Sequence, residues 1–284
     1  MDEIILIDKE KGYTSRDVVN IVSKALNTKK VGHFGTLDPM AEGLLIIGVG
    51  NYTKLGNFFE NDSKEYIAEV LVGRSTDTYD IEGNTISENY TSIDKDTLEK
   101  TLSTFKGTYF QEVPIYSATK VNGKRLYEYA REGVSVSLPK KEVTIFDINL
   151  ISLFERDNYQ YFSFSCTVSK GTYIRSLIND ISKKINIPLC MSKLVRTKQD
   201  KFSLDDANTL EDIKSGNYKS LNIRDVIDVD VEEIPLELEN RILNGNKIER
   251  SKSKYLLFTK NGEDVVLYGN SFAEMKPVLT LKNN

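Results

Sequence analysis

The sequence predicts an α+β fold: a central mixed, largely antiparallel sheet, followed by a small β-rich module at the C-terminus. Short apolar runs of strand length alternate with amphipathic stretches of helical period. Paired runs flank tight turn signals, which makes the neighbouring strands antiparallel. The composition then changes after Asp225, where an acidic run precedes a hairpin pattern.

Ile4 to Asp8 reads as the first strand, with Lys9-Glu10-Lys11-Gly12 as its turn. Thr14 and Asp17 form a capping-box start, and Val18, Val19, Val22 and Leu26 recur at helical spacing, so a helix is expected over 15–26. Lys29 and Lys30 lead into a Gly-rich loop, 31–43, and Leu44 to Val49 is a buried strand. Lys54 to Phe59 reads as a short helix, Tyr66 to Gly73 as an alternating strand, and 77–89 as an acidic surface connection. Leu98, Leu102 and Phe105 mark a helix ending at Gly107. From 118 to 141, Lys120, Lys124, Arg125 and Arg131 interleave with Tyr127 and Tyr129, as an element touching nucleic acid requires. An ordinary helix with its tyrosines packed on the core is the alternative.

Glu142 to Phe154 and Tyr159 to Val168 read as paired strands around an Arg156-Asp157-Asn158 turn. Thr172 to Ile185 is a helix stopped before Pro188, Leu194-Val195-Arg196 begins another strand, and Thr209 to Lys214 is a short helix. Asp228 to Glu233 reads as an acidic linker. Beyond it, 255–258 and 265–268 flank Asn261-Gly262 as a hairpin. The expected division is 1–227 and 228–284.

A chain of 284 residues suits one large domain and a small one. Cys166 and Cys190 cannot build a disulfide framework and point to a reducing, cytoplasmic compartment. A single histidine without a Cys-x-x-Cys pair argues against zinc. No apolar stretch approaches the roughly 20 residues of a spanning helix, and the N-terminus lacks the basic region of a signal peptide. The net charge of −4 is unusual for an RNA binder, but it is unevenly spread. Residues 60–112 hold 5 Lys and Arg against 12 Asp and Glu, whereas 115–201 hold 15 against 8. A positive face on an acidic body can neutralise phosphates locally; for Lys140-Lys141 and Lys183-Lys184, simple solvation is the alternative.

Chemistry concentrates in Val31 to Gly43, which contains the only histidine, His33, and places Asp38 directly before Pro39. Pro39 holds Asp38 off the α region, and the flanking glycines admit a ligand. A carboxylate displayed in this way is a candidate nucleophile or base. On this stretch alone, an Asp-Pro turn explains it equally well.

Read together, 32–50 (GHFGTLDPMAEGLLIIGVG), Ile7 to Ser15, Tyr116 to Arg131 and Cys166 to Arg175 resemble, in order, the motifs of the TruB family, the tRNA pseudouridine-55 synthases of bacteria. Glu10, Phe34 and Val113 depart from the usual family residues, and none is a reacting group. The resemblance implies the pseudouridine-synthase fold, a mobile RNA-binding flap at 118–141 and a short PUA-like C-terminal module. It also implies no cofactor, a T-loop uridine of tRNA as target, and no guide RNA. A monomer is expected.

By the same resemblance Asp38 is the essential residue, Arg175 its partner, and Tyr66 the tyrosine that stacks on the base and assists proton removal at carbon five. Tyr173 and Leu194 line the base pocket, His33 fills the space of the flipped nucleotide or stacks against the loop, and Lys11, Lys120, Lys124 and Arg125 meet phosphates. For Arg175, a helix surface pair with Asp180 is the ordinary alternative. The functional rivals are a tRNA-folding chaperone without catalysis, a guide-dependent synthase, and a glycoside hydrolase, which needs a second catalytic carboxylate.

Overall fold

The structure, a computed structural model, describes residues 2–59 and 63–281; residues 1 and 282–284, at the ends of the two expected domain ranges, lie outside the described residues. Strand β1 (Glu3–Lys9) is buried at almost every position because both its faces are covered. Ile5 and Ile7 enter one core cluster, Ile4 and Leu6 a second. Helix α1 (Ser15–Ala25) begins at the expected capping box and buries Val18, Val19 and Val22. Strands β2 (Val31–His33) and β3 (Glu42–Val49) bracket the Gly-rich loop. The short helix expected from Lys54 is a 3-10 helix that begins earlier, Gly50–Phe59.

Strand β4 (Lys64–Val72) starts two residues before Tyr66. The plain connection expected after it is in fact a hairpin, β5 (Arg74–Thr76) and β6 (Thr85–Glu88). Arg74 Nη2 on Glu88 Oε1, 2.7 Å apart, joins its two strands. Helix α2 (Lys95–Ser103) ends earlier than Gly107, where β7 (Gly107–Glu112) begins. The expected flap contains the small hairpin β8 (Lys120–Val121) and β9 (Lys124–Arg125) and then helix α3 (Leu126–Glu132).

Strands β10 (Lys140–Arg156) and β11 (Tyr159–Val168) pair closely enough that Arg156 faces Tyr159. The turn is therefore Asp157-Asn158 alone. Both residues have positive φ, 53° and 63°, as a two-residue hairpin turn of matching twist requires. Helix α4 (Ile174–Ile185) starts after Tyr173 rather than at Thr172, and β12 (Leu189–Gln199) starts five residues before Leu194, with β13 (Phe202–Ser203) folded against it.

The main sheet has the order β1-β3-β12-β4-β11-β10-β7, with β2 on β3 and β13 on β12. Only the β12–β3 contact is parallel. There Gly43 (φ 98°) has no room for a side chain, since a Cβ would lie 2.4 Å from Arg196 O. One face of the sheet packs on α1, α2 and α4 through Val18, Leu98, Leu102, Leu177 and Ile181. Each such buried side chain contributes about 1.5–3 kcal/mol.

Helices α5 (Leu210–Ser215) and α6 (Ile223–Val226) lead to the second unit. Its five strands and one α-helix are β14 (Asp230–Glu233), α7 (Glu239–Leu243), β15 (Ile248–Glu249), β16 (Tyr255–Lys260), β17 (Glu263–Ser271) and β18 (Glu274–Thr280). The acidic linker expected at 228–233 is thus largely a strand, paired in parallel with β16. The expected hairpin around Asn261-Gly262 is present as β16 and β17.

Candidate active site

The Gly-rich loop turns back on β3 through Phe34 N to Ile46 O, 2.9 Å. Ser15 Oγ, at the start of α1, then grips Leu37 at both backbone groups, 2.9 Å from N and 3.2 Å from O. Asp38 follows, its side chain 37% exposed at the mouth of a cavity of about 510 Å³. That volume is within the range of small-molecule sites.

Arg175 comes from the first turn of α4, which has no acidic residue of its own. The helix dipole disfavours a cation there, so the guanidinium is held from outside. Its Nε lies 2.8 Å from Asp38 Oδ2 and its Nη1 3.7 Å from Asp80 Oδ2. It also donates to Thr78 O (3.2 Å) and Tyr116 O (3.1 Å). The alternative pair with Asp180 is not formed; that carboxylate accepts from Tyr109 instead. One buried arginine thus ties the Asp38 loop, the β5–β6 hairpin and the segment at Tyr116 together.

Tyr66 projects from β4 into the same cavity and is 7% exposed. Burial pushes its phenol up, and the Arg196 guanidinium beside it pulls the other way. Tyr173 and Leu194 line the cavity, with Tyr173 OH 3.0 Å from Thr119 Oγ1, just before β8. His33 lines it too. Burial, then Arg16 and Arg196, lower its pKa and favour the neutral ring, whose Nδ1 is buried without a hydrogen-bond partner.

Lys11, Lys120, Lys124 and Arg125 are outside the cavity lining. Lys11, Lys120 and Arg125 are exposed, Arg125 Nη1 reaching Tyr127 OH at 2.8 Å. Lys124 pairs with Glu132 and sits 4.9 Å from the Tyr129 ring centroid.

Three further residues belong to the site. Asp80, 6% exposed, stands behind Arg175. Arg196, fully buried, donates to Leu44 O (2.7 Å) and Gly35 O (3.1 Å) and so fixes the loop from the β12 side. Lys9, also fully buried, directs Nζ to Tyr13 O (2.7 Å), Glu10 O (3.0 Å) and Pro39 O (3.4 Å), the last next to Asp38. Among the described residues no cluster of three His, Cys, Asp or Glu side chains could hold a metal ion. No helix among them is long and apolar enough to cross a membrane.

Residues 23–174 match the family model described as TruB family pseudouridylate synthase, N-terminal domain. A protein of Lactobacillus acidophilus named tRNA pseudouridine synthase B is 38% identical, over 100% of this chain and 99% of its own. The chain belongs to the TruB family. A Staphylococcus aureus member of the same name is 39% identical over 88% of this chain and 86% of its own. Among solved structures, the crystal structure of a Cbf5-Nop10-Gar1 complex superimposes with a TM-score of 0.68 at 20% identity, covering 99% of this chain and 84% of that one. At that identity the likeness is one of fold, and the fold is that of the pseudouridine synthases.

Proposed function

We propose that this TruB-family chain is a tRNA pseudouridine-55 synthase acting without cofactor or guide RNA, as a cytoplasmic monomer. Residues 1–227 supply the catalytic domain, 118–141 its RNA-binding flap, and 228–284 a short PUA-like module. The observation that carries this reading is the Asp38–Arg175 pair at the mouth of a nucleoside-sized cavity.

The target uridine of the T-loop leaves its stack at a cost of a few kcal/mol and enters the cavity. His33 takes the space it vacates. Tyr66 stacks on the base, and Tyr173 and Leu194 enclose it. Asp38, oriented by the planar fork of Arg175, acts on the nucleoside as nucleophile or base. The C1′–N1 bond breaks, the base turns, and a C1′–C5 bond forms, the C5 proton being lost and N1 gaining one. The product has the mass of the substrate. Lys11, Lys120, Lys124 and Arg125 take phosphates outside the cavity.

The test is conversion of one uridine in a T-arm RNA by the purified chain alone, with no change of mass. RNA that is bound but never converted would overturn the reading in favour of a tRNA-folding chaperone.

A further inference from the structure

Phe34 lies four residues before Asp38, yet it is not a loop side chain in solvent. It is 8% exposed, and its ring stacks on that of Phe59 at 4.5 Å and 10°. Strand β3 makes room for it by having no side chain at Gly48, where a Cβ would lie 2.6 Å from the ring's Cζ. The backbone is held as well: Phe34 N donates to Ile46 O at 2.9 Å, and Phe34 O accepts from Gln199 Nε2 at 2.8 Å. With Gly35 bound to Arg196 and Leu37 bound to Ser15, little of the segment leading to Asp38 is left free.

Phe59 is the last residue of the 3-10 helix, and that helix is held on its far side by the C-terminal module. Phe58 meets Tyr255 at 4.9 Å. The module's strands alternate between two cores. Leu256, Phe258, Val266 and Tyr268 fill its own interior, while Leu257, Leu267 and Leu279 share one cluster with Phe34, Tyr52, Leu55 and Phe59. A continuous apolar path therefore runs from the module to the catalytic loop.

We infer that the C-terminal module is a positioning element for the reaction, setting the Asp38 loop through the stacked rings of Phe59 and Phe34. This rests on Asp38 being the reacting carboxylate. Phe59 acts here as a positioning residue. A flat ring fixes both the height and the tilt of Phe34, and an aliphatic side chain of similar volume would fix neither, since packed interiors favour discrete arrangements.

The experiment compares full-length Phe59→Leu, Phe59→Tyr, Tyr255→Ala and Phe258→Leu at a temperature where denaturation curves show each folded. Single-turnover conversion, affinity for a T-arm RNA and amide exchange of the 33–41 segment are measured. Phe59→Leu should lower the single-turnover rate at least ~10-fold with affinity within about twofold of wild type, because the defect is geometric. Phe59→Tyr, which keeps the ring, should stay within about threefold of wild type, and Tyr255→Ala should lose about three- to fivefold. Phe258→Leu, confined to the module's own core, should leave the rate unchanged. Exchange in 33–41 should quicken in Phe59→Leu and Tyr255→Ala only. A wild-type rate in Phe59→Leu, equal losses in Leu and Tyr, or a loss confined to affinity would overturn the inference. A wild type that converts no uridine overturns the proposed activity instead, and the exchange data then still decide whether the module positions the loop.

Discussion

Arg175 and Arg125 both lie in the basic half of the chain, but their surroundings are opposite. Arg175, its side chain 6% exposed, is bound by two aspartates and two carbonyls, whereas Arg125 is exposed and meets the hydroxyl of Tyr127. A buried guanidinium left unpaired would cost several kcal/mol, so its partners are fixed before any substrate arrives. A solvated cation gains little until it replaces the counterions condensed on phosphates and releases them. Pocket charge should therefore govern rate, and flap charge affinity.

The sharpest test of that division is Asp38→Asn. It keeps size and hydrogen-bonding capacity but removes both the charge and the nucleophilic oxygen. The single-turnover rate should fall at least ~10⁴-fold, equivalent to about 5.5 kcal/mol of barrier, while filter binding of the same RNA at the same salt stays near wild type. A comparable rate in the variant would remove Asp38 from its role. Arg175→Lys comes next, because lysine keeps the charge but loses the fork that reaches Asp38, Asp80 and both carbonyls. Turnover should fall about 10²- to 10³-fold, ahead of any loss in RNA binding. Near-native turnover would show that charge alone suffices.

Asp38 and Arg175 were legible because local motifs carry them, although 137 positions separate them in the sequence. Asp80 was not. It sits in an acidic run, where carboxylates are usually solvated, and only the bridge from Asp80 to Met191 of β12 brings it behind Arg175. Arg196 had a usable signal. Strand period two puts it on the same face as Leu194, which the sequence already assigned to the pocket, and its register partner is Tyr66. The strand at Asp230–Glu233 was hidden by composition, since acidic residues are depleted in strands. All four of its residues are exposed, and charges of this kind protect a sheet edge from further pairing. The β5–β6 hairpin was hidden by length and exposure instead: its strands have three and four residues, and β6 is wholly exposed.

On the flap side, replacing Lys120, Lys124 and Arg125 together with Gln should weaken RNA binding and flatten its salt dependence by roughly 0.7–0.9 per lost phosphate contact. Lys124 is already paired with Glu132, so its share should be the smallest of the three. The rate at saturating RNA should be nearly unchanged. An unaltered salt slope would mean that these cations are solvated surface, and the contrast with Arg175 would then lose its second half.

Lys9 sharpens the contrast from another side, as a buried cation satisfied by carbonyls rather than by carboxylates. Burial lowers its pKa to about 8, with Glu42 and Asp38 opposing the shift. An unfolded lysine titrates near ~10.4. Between these values the unfolded chain holds a proton that the folded chain has released, so this group makes stability rise with pH across that window. Below about pH 8 both states are protonated and its contribution is level. Lys9→Met removes the titration and leaves the carbonyls of Tyr13 and Pro39 without this donor, a loss of about 1–3 kcal/mol. Urea denaturation of both proteins at pH 7, 8, 9 and 10 isolates this contribution, because all other titrations cancel in the difference. The stability advantage of wild type should grow from pH 8 to pH 10. A constant or shrinking difference would return Lys9 to the ordinary lysine range and make its burial unimportant to its charge.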